Sequence, residues 1–460
     1  MKSTTIIEPL RKRVIRAAIQ FLSGHAASQL IRLSGNMVMT RVLVPEAFGV
    51  MAIANTILFG VILFTEFGIK QNIIQSEHGN KEIFLNTAWT LQILRGFIIW
   101  SFVVLIGIGI YVAKQHFTIP SDSVYADPVL PYVIAVLAFS FLIGGFESTN
   151  TALHSRDINL LPVIKLELTG QIVSLAVMVS AGLAFKSIWA LVSGALVLSL
   201  YKTFFSHFLL DGPKNRFQLD SNSVREIINF GIWMLIGSIL VFIATNGDKL
   251  ILSGYFDANL MGQYAIALLV LNALKDAVVK TASSVIMPAL SEIARGNKKK
   301  LKEVFYKSRF PIDIGTSFIA GMLFFSGGEL MALLFDDRYQ FSGVIIEIIG
   351  LSLIFERFSI ANQCIIAIGK PRSLIPVVLT RVIILLIGIP YSISLFGEVG
   401  ALWVVACGRI VTIPVLFIIM YRYKIFSIGK ELNRALLSAV FFFLSYGVHV
   451  LISKINILLN

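Results

Sequence analysis

Long apolar blocks separated by short polar breaks run from residue 17 almost to the end of the chain. They predict helices over 17–43, 48–69, 84–113, 129–153, 161–185, 188–210, 227–247, 258–290, 311–335, 342–368, 371–396, 397–421 and 435–453. These blocks match the roughly 20 residues that cross about 30 Å of hydrocarbon. The expected fold is therefore all-α: a polytopic membrane protein of about thirteen helices, with a range of twelve to fourteen because Asn246-Gly247-Asp248-Lys249 interrupts one block.

Composition strengthens this reading. Hydrophobic residues make up 56% of 460 and charged residues 14%, with a mean hydropathy of +0.82. A water-soluble domain could not hide that much apolar surface inside itself. Cys364 and Cys407 both fall within apolar blocks, where a thiol behaves as a small buried hydrophobe rather than a disulfide partner or metal ligand. The stretch Met1–Gln20 carries Arg11, Lys12, Arg13 and Arg16 but is followed by a long polar-spotted segment without a small-residue cleavage site. It reads as a retained cytoplasmic lead-in rather than a signal peptide.

Charge orients the chain. With the N-terminus inside, 26 of the 39 Lys and Arg residues fall on cytoplasmic segments and six on outer ones, namely Arg41, Lys114, Lys186, Lys249, Arg338 and Lys454. That is the positive-inside pattern. It accounts for much of the net charge of +13, including the run Lys298-Lys299-Lys300, as attraction to the inner leaflet, and it argues against nucleic acid as a partner.

One segment is written twice. Residues 45–54 recur at 258–267, with Gly49, Ala52, Ile53 and Ala54 matched by Gly262, Ala265, Ile266 and Ala267 at an offset of 213. Gly79-Asn80-Lys81 and Gly296-Asn297-Lys298 follow the two copies. Six predicted helices separate the copies, so both run in the same direction, as in parallel repeats that place a substrate path between two halves. The organisation expected is a six-helix lobe over 1–215, a second over 216–425 and an additional helix over 426–460.

Two kinds of machinery are missing from the sequence. No Gly-x-x-x-x-Gly-Lys-Ser/Thr phosphate loop occurs, since Gly369-Lys370 is followed by Pro371 and Gly429-Lys430 by Glu431, and no His-Glu-x-x-His metal motif occurs. The longest outer segment, residues 114–128, is short for the folded catalytic loops of a membrane polymerase or glycosyltransferase. A transporter becomes the stronger class and an enzyme the weaker one.

The candidate chemistry is charge within the helices: Arg32, Arg95, Lys275, Lys280, Arg357, Arg381 and Arg409. Each costs about 2.5–3.5 kcal/mol against lipid at mid-bilayer, so most should face the bundle interior, a partner or water. Lys280 and Arg95 lie towards cytoplasmic ends, where snorkelling is the competing explanation. Ser28, Arg32 and Asn36 share one helix face at i, i+4 and i+8, and Asn272, Asp276, Lys280 and Ser284 repeat the device; helix–helix hydrogen bonding would produce the same stripe. Five of the seven cations lie in the second half, which suggests a positively biased cavity and an anionic solute. Arginine's planar fork suits a diphosphate. Glu356 and Arg357 are adjacent and should point differently, leaving Arg357 to face the cavity. Pro288, Pro376, Pro390 and Pro414 mark bends, and Trp89 and Trp403 are the aromatics to test for sugar stacking.

The stretch Thr40-Arg41-Val42-Leu43-Val44-Pro45-Glu46-Ala47-Phe48-Gly49, followed by Phe67-Gly68-Ile69 and Ile73-Ile74-Gln75, resembles the start of Wzx-type polysaccharide repeat-unit flippases, which handle O-antigen, lipopolysaccharide and exopolysaccharide units in the multidrug/oligosaccharidyl-lipid/polysaccharide exporter superfamily. Asp248-Lys249-Leu250-Ile251-Leu252-Ser253-Gly254, Gly262-Gln263-Tyr264 and Met287-Pro288-Ala289-Leu290-Ser291 resemble the same family's helix seven–eight region, and Ser155-Arg156-Asp157-Ile158-Asn159 resembles its link after helix four. The resemblance implies two six-helix lobes facing each other in a V around a central cavity. It also implies export of oligosaccharide on polyprenyl diphosphate from the cytoplasmic to the periplasmic leaflet of a bacterial inner membrane by alternating access, with the N-terminus cytoplasmic. Polysaccharide polymerase and chain-length machinery are the further partners this implies.

On that reading Arg32, Lys275, Arg357, Arg381 and Arg409, with Asn36 and Ser28, are the candidate substrate-binding residues, and Asp276 and Glu356 the candidates for ion coupling. No catalytic residue, metal or cofactor is expected, and coupling to protons or sodium stays open. The alternative is a multidrug or cation antiporter of the same superfamily, which should show an acid-dominated cavity. A polymerase or glycosyltransferase ranks below it.

Overall fold

An apolar segment in lipid must pair every backbone N–H and C=O internally, and among the described residues this chain does so with helices alone. The computed structural model describes residues 10–64, 68–116, 120, 123–281, 286, 290, 293–294 and 298–459. Glu66, Phe67, Ser284, the stretch Met287-Pro288-Ala289, Ser291 and the pair Gly296-Asn297 lie outside them.

The chain forms two compact units, one over Met1–Ser121 and Tyr125–Ile239, the other over Asp122–Val124 and Leu240–Asn460. Unit 1 contains α1 (Leu10–Val42), α2 (Pro45–Phe64), α3 (Ile69–Gln75), α4 (Glu82–His116), α5 (Leu130–Gly145), α6 (Asn150–Arg156), α7 (Leu161–Phe185), α8 (Trp189–Leu209) and the start of α9 (Ser221–Leu252). Here α4 packs on α5, α7 on α8, and α1 on α7. The last pairing depends on small residues: a Cβ added at Gly24 would lie 2.5 Å from Ile164 Cγ2, and one at Gly182 2.7 Å from Met39 Cε. Close backbone approach of this kind replaces the hydrophobic drive that helices lack in lipid.

Unit 2 contains the rest of α9, then α10 (Ala258–Thr281), α11 (Lys298–Leu334), α12 (Phe341–Gly350), α13 (Ser359–Ala367), α14 (Ile375–Ile383), α15 (Ile389–Cys407), α16 (Thr412–Arg422) and α17 (Ile428–Leu459). α11 packs along α17 and α12, and α14 against α16. The helix after residue 426 is thus part of this unit. Its core gathers Phe305, Ile360, Ile365 and Met420.

Both copies of the repeated segment begin a helix, α2 at Pro45 and α10 at Ala258. Among the described residues the thirteen predicted blocks lie mostly on helix, with 129–153 broken between α5 and α6 and parts of 48–69 and 258–290 outside the described residues, while α3 was not anticipated. Among the described residues eight helices are long and apolar enough to cross a membrane, or nine if the pair α5 and α6, bent by 63°, is one span. One helix of the difference from thirteen has a plain physical source. Residues 371–422 count as one run of 52 residues, yet Gly397 takes φ 64° within α15, a reversal that only glycine adopts without strain. At 1.5 Å per residue such a run is also far longer than one bilayer.

The predicted prolines sit at segment starts: Pro376 in the first turn of α14, Pro390 in that of α15 after a π-helical turn over Ile384–Gly388, and Pro414 near the start of α16 after a 3₁₀ turn over Gly408–Val411. A missing N–H breaks the i→i−4 register, and the backbone changes pitch there. The outer faces carry large apolar side chains open to the surroundings, including Leu183, Phe185, Phe208, Ile387 and Ile418. Only acyl chains solvate such a surface, so this is a multi-pass membrane protein.

Candidate functional site

The irregular turns of unit 2 bring the strongest constellation together. A cavity of about 180 Å³ is lined by Thr245 from α9, Glu356 from the 3₁₀ turn before α13, Ser359 and Asn362 from α13, Arg381 from α14 and Arg409 from the 3₁₀ turn before α16. Arg409 Nη1 donates to Glu356 Oε1 at 2.5 Å; the Arg409 side chain is 28% exposed and that of Glu356 5%. Arg381 Nε donates to the Ala244 carbonyl at 2.8 Å, which leaves the outer edge of its guanidinium for the cavity. Lys275 on α10 lies within Coulomb range of Arg409, Arg381, Glu356 and Asp248. Asp248 is buried, and its Oδ2 accepts from Tyr264 Oη at 2.5 Å.

Arg381 and Arg409 therefore line the cavity with one carboxylate, Glu356, a formal excess of one positive charge, while Lys275 and Asp248 lie outside its lining. Ser359 Oγ, Asn362 Oδ1 and Asp248 Oδ1 are buried without a hydrogen-bond partner among the described residues. Buried polar atoms ordinarily find partners, so Ser359 and Asn362, which line this cavity, present hydrogen-bonding capacity a bound group would satisfy. The arrangement suits an anion carrying hydroxyl or amide substituents.

The site reverses one expectation. Glu356 faces the cavity and Arg357 does not: Arg357 donates from Nη1 to Ser438 Oγ on α17 at 2.6 Å, with its guanidinium 5.0 Å from the Phe358 ring centre. Adjacent residues on a tight helical turn point about 100–120° apart, and only one of the two can face Arg409. Asp276 and Lys280 remain on α10, both partly buried and both in contact with partners of their own.

In unit 1 the predicted stripe is real but mostly satisfied. Ser28, Arg32 and Asn36 line a cavity of about 390 Å³ with Glu167 and Gln171 of α7. Gln171 Nε2 donates to Ser28 Oγ at 2.8 Å and to Glu167 Oε1 at 3.0 Å, while Lys202 lies 2.8 Å from Glu167. Asn36 Nδ2 returns to the Arg32 carbonyl at 2.8 Å, and the Arg32 side chain is exposed. Trp89 is buried, donates to the Phe146 carbonyl at 3.2 Å and packs against Phe217. It is a packing residue and not an open stacking platform.

Sequence reasoning missed two clusters. Lys70, Lys202 and Arg95 line a second unit 1 cavity of about 340 Å³ with Glu147 and Gln92. Lys202 lay inside the predicted helix 188–210 and could have been counted with the other intrahelical cations. Arg309 is fully buried and bidentate to Glu431 at 2.8 and 3.0 Å, with Nε 2.9 Å from Asp313. Its neighbourhood read as a cytoplasmic basic run, although the i, i+4 spacing of Arg309 and Asp313 was visible.

Against known proteins, residues 38–309 match the family model described as polysaccharide biosynthesis protein. The chain belongs to that family. Thr40–Gly49 and Asp248–Gly254, which carried the resemblance to Wzx-type proteins, both lie inside the matched residues. A curated protein of similar sequence is the lipopolysaccharide biosynthesis protein WzxC of Escherichia coli (strain K12), 23% identical over 273 residues, which are 59% of this chain and 52% of that protein. The match thus spans about half the length of WzxC. Among solved structures, the lipid II flippase MurJ in an inward closed conformation has a TM-score of 0.67 at 14% identity, covering 96% of this chain and 97% of its own. An inward-facing multidrug resistance MATE family transporter of the MOP superfamily has a TM-score of 0.62 at 12% identity, covering 89% and 95%. This member of the polysaccharide biosynthesis protein family therefore has the fold shared by MurJ and MATE transporters.

Proposed function

We propose that this protein is a flippase that moves oligosaccharide repeat units linked to polyprenyl diphosphate from the cytoplasmic to the periplasmic leaflet of a bacterial inner membrane, its N-terminus cytoplasmic. The observation that carries the reading is the convergence of Arg381 and Arg409 on one cavity, with Lys275 in Coulomb range. Cations at membrane depth are costly, and three held near one another serve an anion better than they serve packing. Two guanidinium forks match the two phosphoryl groups, and the unpartnered Ser359 and Asn362 suit sugar hydroxyls.

Glu356 pairs with Arg409, and an arriving diphosphate competes with it for that guanidinium. Protonation of Glu356 would release Arg409, so this carboxyl, with Asp276, is the proposed point of coupling to a proton or sodium gradient. In the alternating-access cycle proposed here the anion is held only in transit, because tight preference for one facing state would stall turnover. A drug-cation antiporter fits less well, since its cavity needs an acidic excess and this one has a basic excess.

The test is complementation. In cells lacking the gene, Arg381→Ala and Arg409→Ala should each lower surface polysaccharide at least about tenfold at matched protein level, the effect of losing one charge-assisted contact of 1.5–3 kcal/mol. Wild-type export by both well-expressed variants would remove the reading.

A further inference from the structure

We infer that an apolar cavity bordering the Arg381–Arg409 site holds the first isoprene units of the carrier lipid, so that unit 2 grips diphosphate and tail together. The inference rests on the flippase reading and adds the tail-binding site to it.

The cavity measures about 660 Å³ and is lined by Ile384, Gly388, Phe396, Trp403, Cys407 and Val411, among others. It shares two walls with the charged cavity. Along one run Arg381 lines the charged cavity, and Ile384, one turn further on, lines the apolar one. Along the facing run Arg409 and Thr412 line the charged cavity while Gly408 and Val411 line the apolar one. The two cavities are therefore separated by a single helical turn on each side.

The irregular backbone makes this possible. The π-helical turn over Ile384–Gly388 and the 3₁₀ turn over Gly408–Val411 face each other: a Cβ at Gly408 would lie 3.0 Å from Ile384 Cγ2, and one at Gly388 3.0 Å from Val404 Cγ1. The two runs touch there, and side chains rotated by the altered pitch fall alternately on the charged and the apolar side.

Phe396, Trp403 and Val411 are exposed, so the cavity opens onto the face that acyl chains solvate. An amphiphile could enter sideways from the bilayer. Tail burial by itself confers little affinity, because lipid is as apolar as the cavity wall. The gain comes from tethering: once the arginines hold the head, the chain sits beside the cavity at high effective concentration. A singly charged phospholipid gives these arginines less to hold than a diphosphate does.

Cys407 reports occupancy. With purified full-length protein in nanodiscs, N-ethylmaleimide labelling of Cys407 is followed by peptide mass against inorganic diphosphate, geranylgeraniol, phosphatidylglycerol and geranylgeranyl diphosphate. Geranylgeranyl diphosphate should slow labelling about fivefold or more, the other three less than about twofold, and Arg409→Gln should raise its half-protecting concentration about tenfold. Val411→Trp should abolish protection while leaving binding of inorganic diphosphate unchanged. Equal protection by phosphatidylglycerol would make the cavity a general lipid contact, equal protection by inorganic diphosphate would place the effect in the head site, and equal protection by geranylgeraniol would remove the role of the arginines. Each of these, or no protection at all, overturns the inference. If protection fails while Arg409→Ala still abolishes export, the tail site alone is lost; if Arg381→Ala and Arg409→Ala both export normally, the flippase reading goes with it.

Discussion

Glu431→Gln should destabilise unit 2 far more than any exposed ion-pair change. Glu431 is 8% exposed and takes both outer nitrogens of Arg309, itself fully buried, as well as the Tyr306 hydroxyl at 2.9 Å. Asp313, at 1% exposure, holds Arg309 Nε from within the same helix. Charge centres about 4 Å apart at an effective dielectric near 20 interact by about 4 kcal/mol. That agrees with the loss of about 3–5 kcal/mol found when one member of a buried pair is removed and the other stays charged. For a unit of this size the thermal midpoint should fall by about 10 °C. The assay is thermal unfolding of the purified protein in detergent, followed by loss of the monodisperse peak. Asp336→Asn is the control, because its partner Arg338 lies 2.7 Å away but the side chains are 34% and 39% exposed, and such pairs contribute less than about 1 kcal/mol. Unfolding of Glu431→Gln at the wild-type midpoint, or equal shifts for it and Asp336→Asn, would refute the electrostatic reasoning.

Two further outcomes are expected. Glu356→Gln removes the counter-charge of Arg409 and should tighten binding of inorganic diphosphate by calorimetry about tenfold, a change of 1.4 kcal/mol, while slowing export; unchanged affinity would mean that Arg409 does not meet the anion. Gly79→Ala drives a Cβ into the Ile73 carbonyl oxygen and to 2.7 Å from Arg156 Nη1, which donates to the Ile73, Ile74 and Ser76 carbonyls at the end of α3. The clash should cost about 3 kcal/mol, read as a lower thermal midpoint of unit 1, and a wild-type midpoint would show that the turn is not held as described.

The sequence determined the class of this protein through periodicity and composition. Apolar blocks of membrane length leave the helix as their only stable form, so α7 falls at 161–185 as predicted, and the reversal at Gly397 coincides with the boundary read between two blocks. The repeated segment marked the starts of α2 and α10 because a helix start is a local feature. The identity of the intrahelical cations was equally legible, since charge in an apolar block stands out. Their partners were not. Whether Glu356 or Arg357 met Arg409 depended on the pitch of one 3₁₀ turn, and whether Arg309 was solvated or buried depended on α17 packing along α11. A pairing between residues 53 or 122 positions apart is a property of the packed helices, and only the tertiary structure decides which charges face a cavity and which neutralise one another.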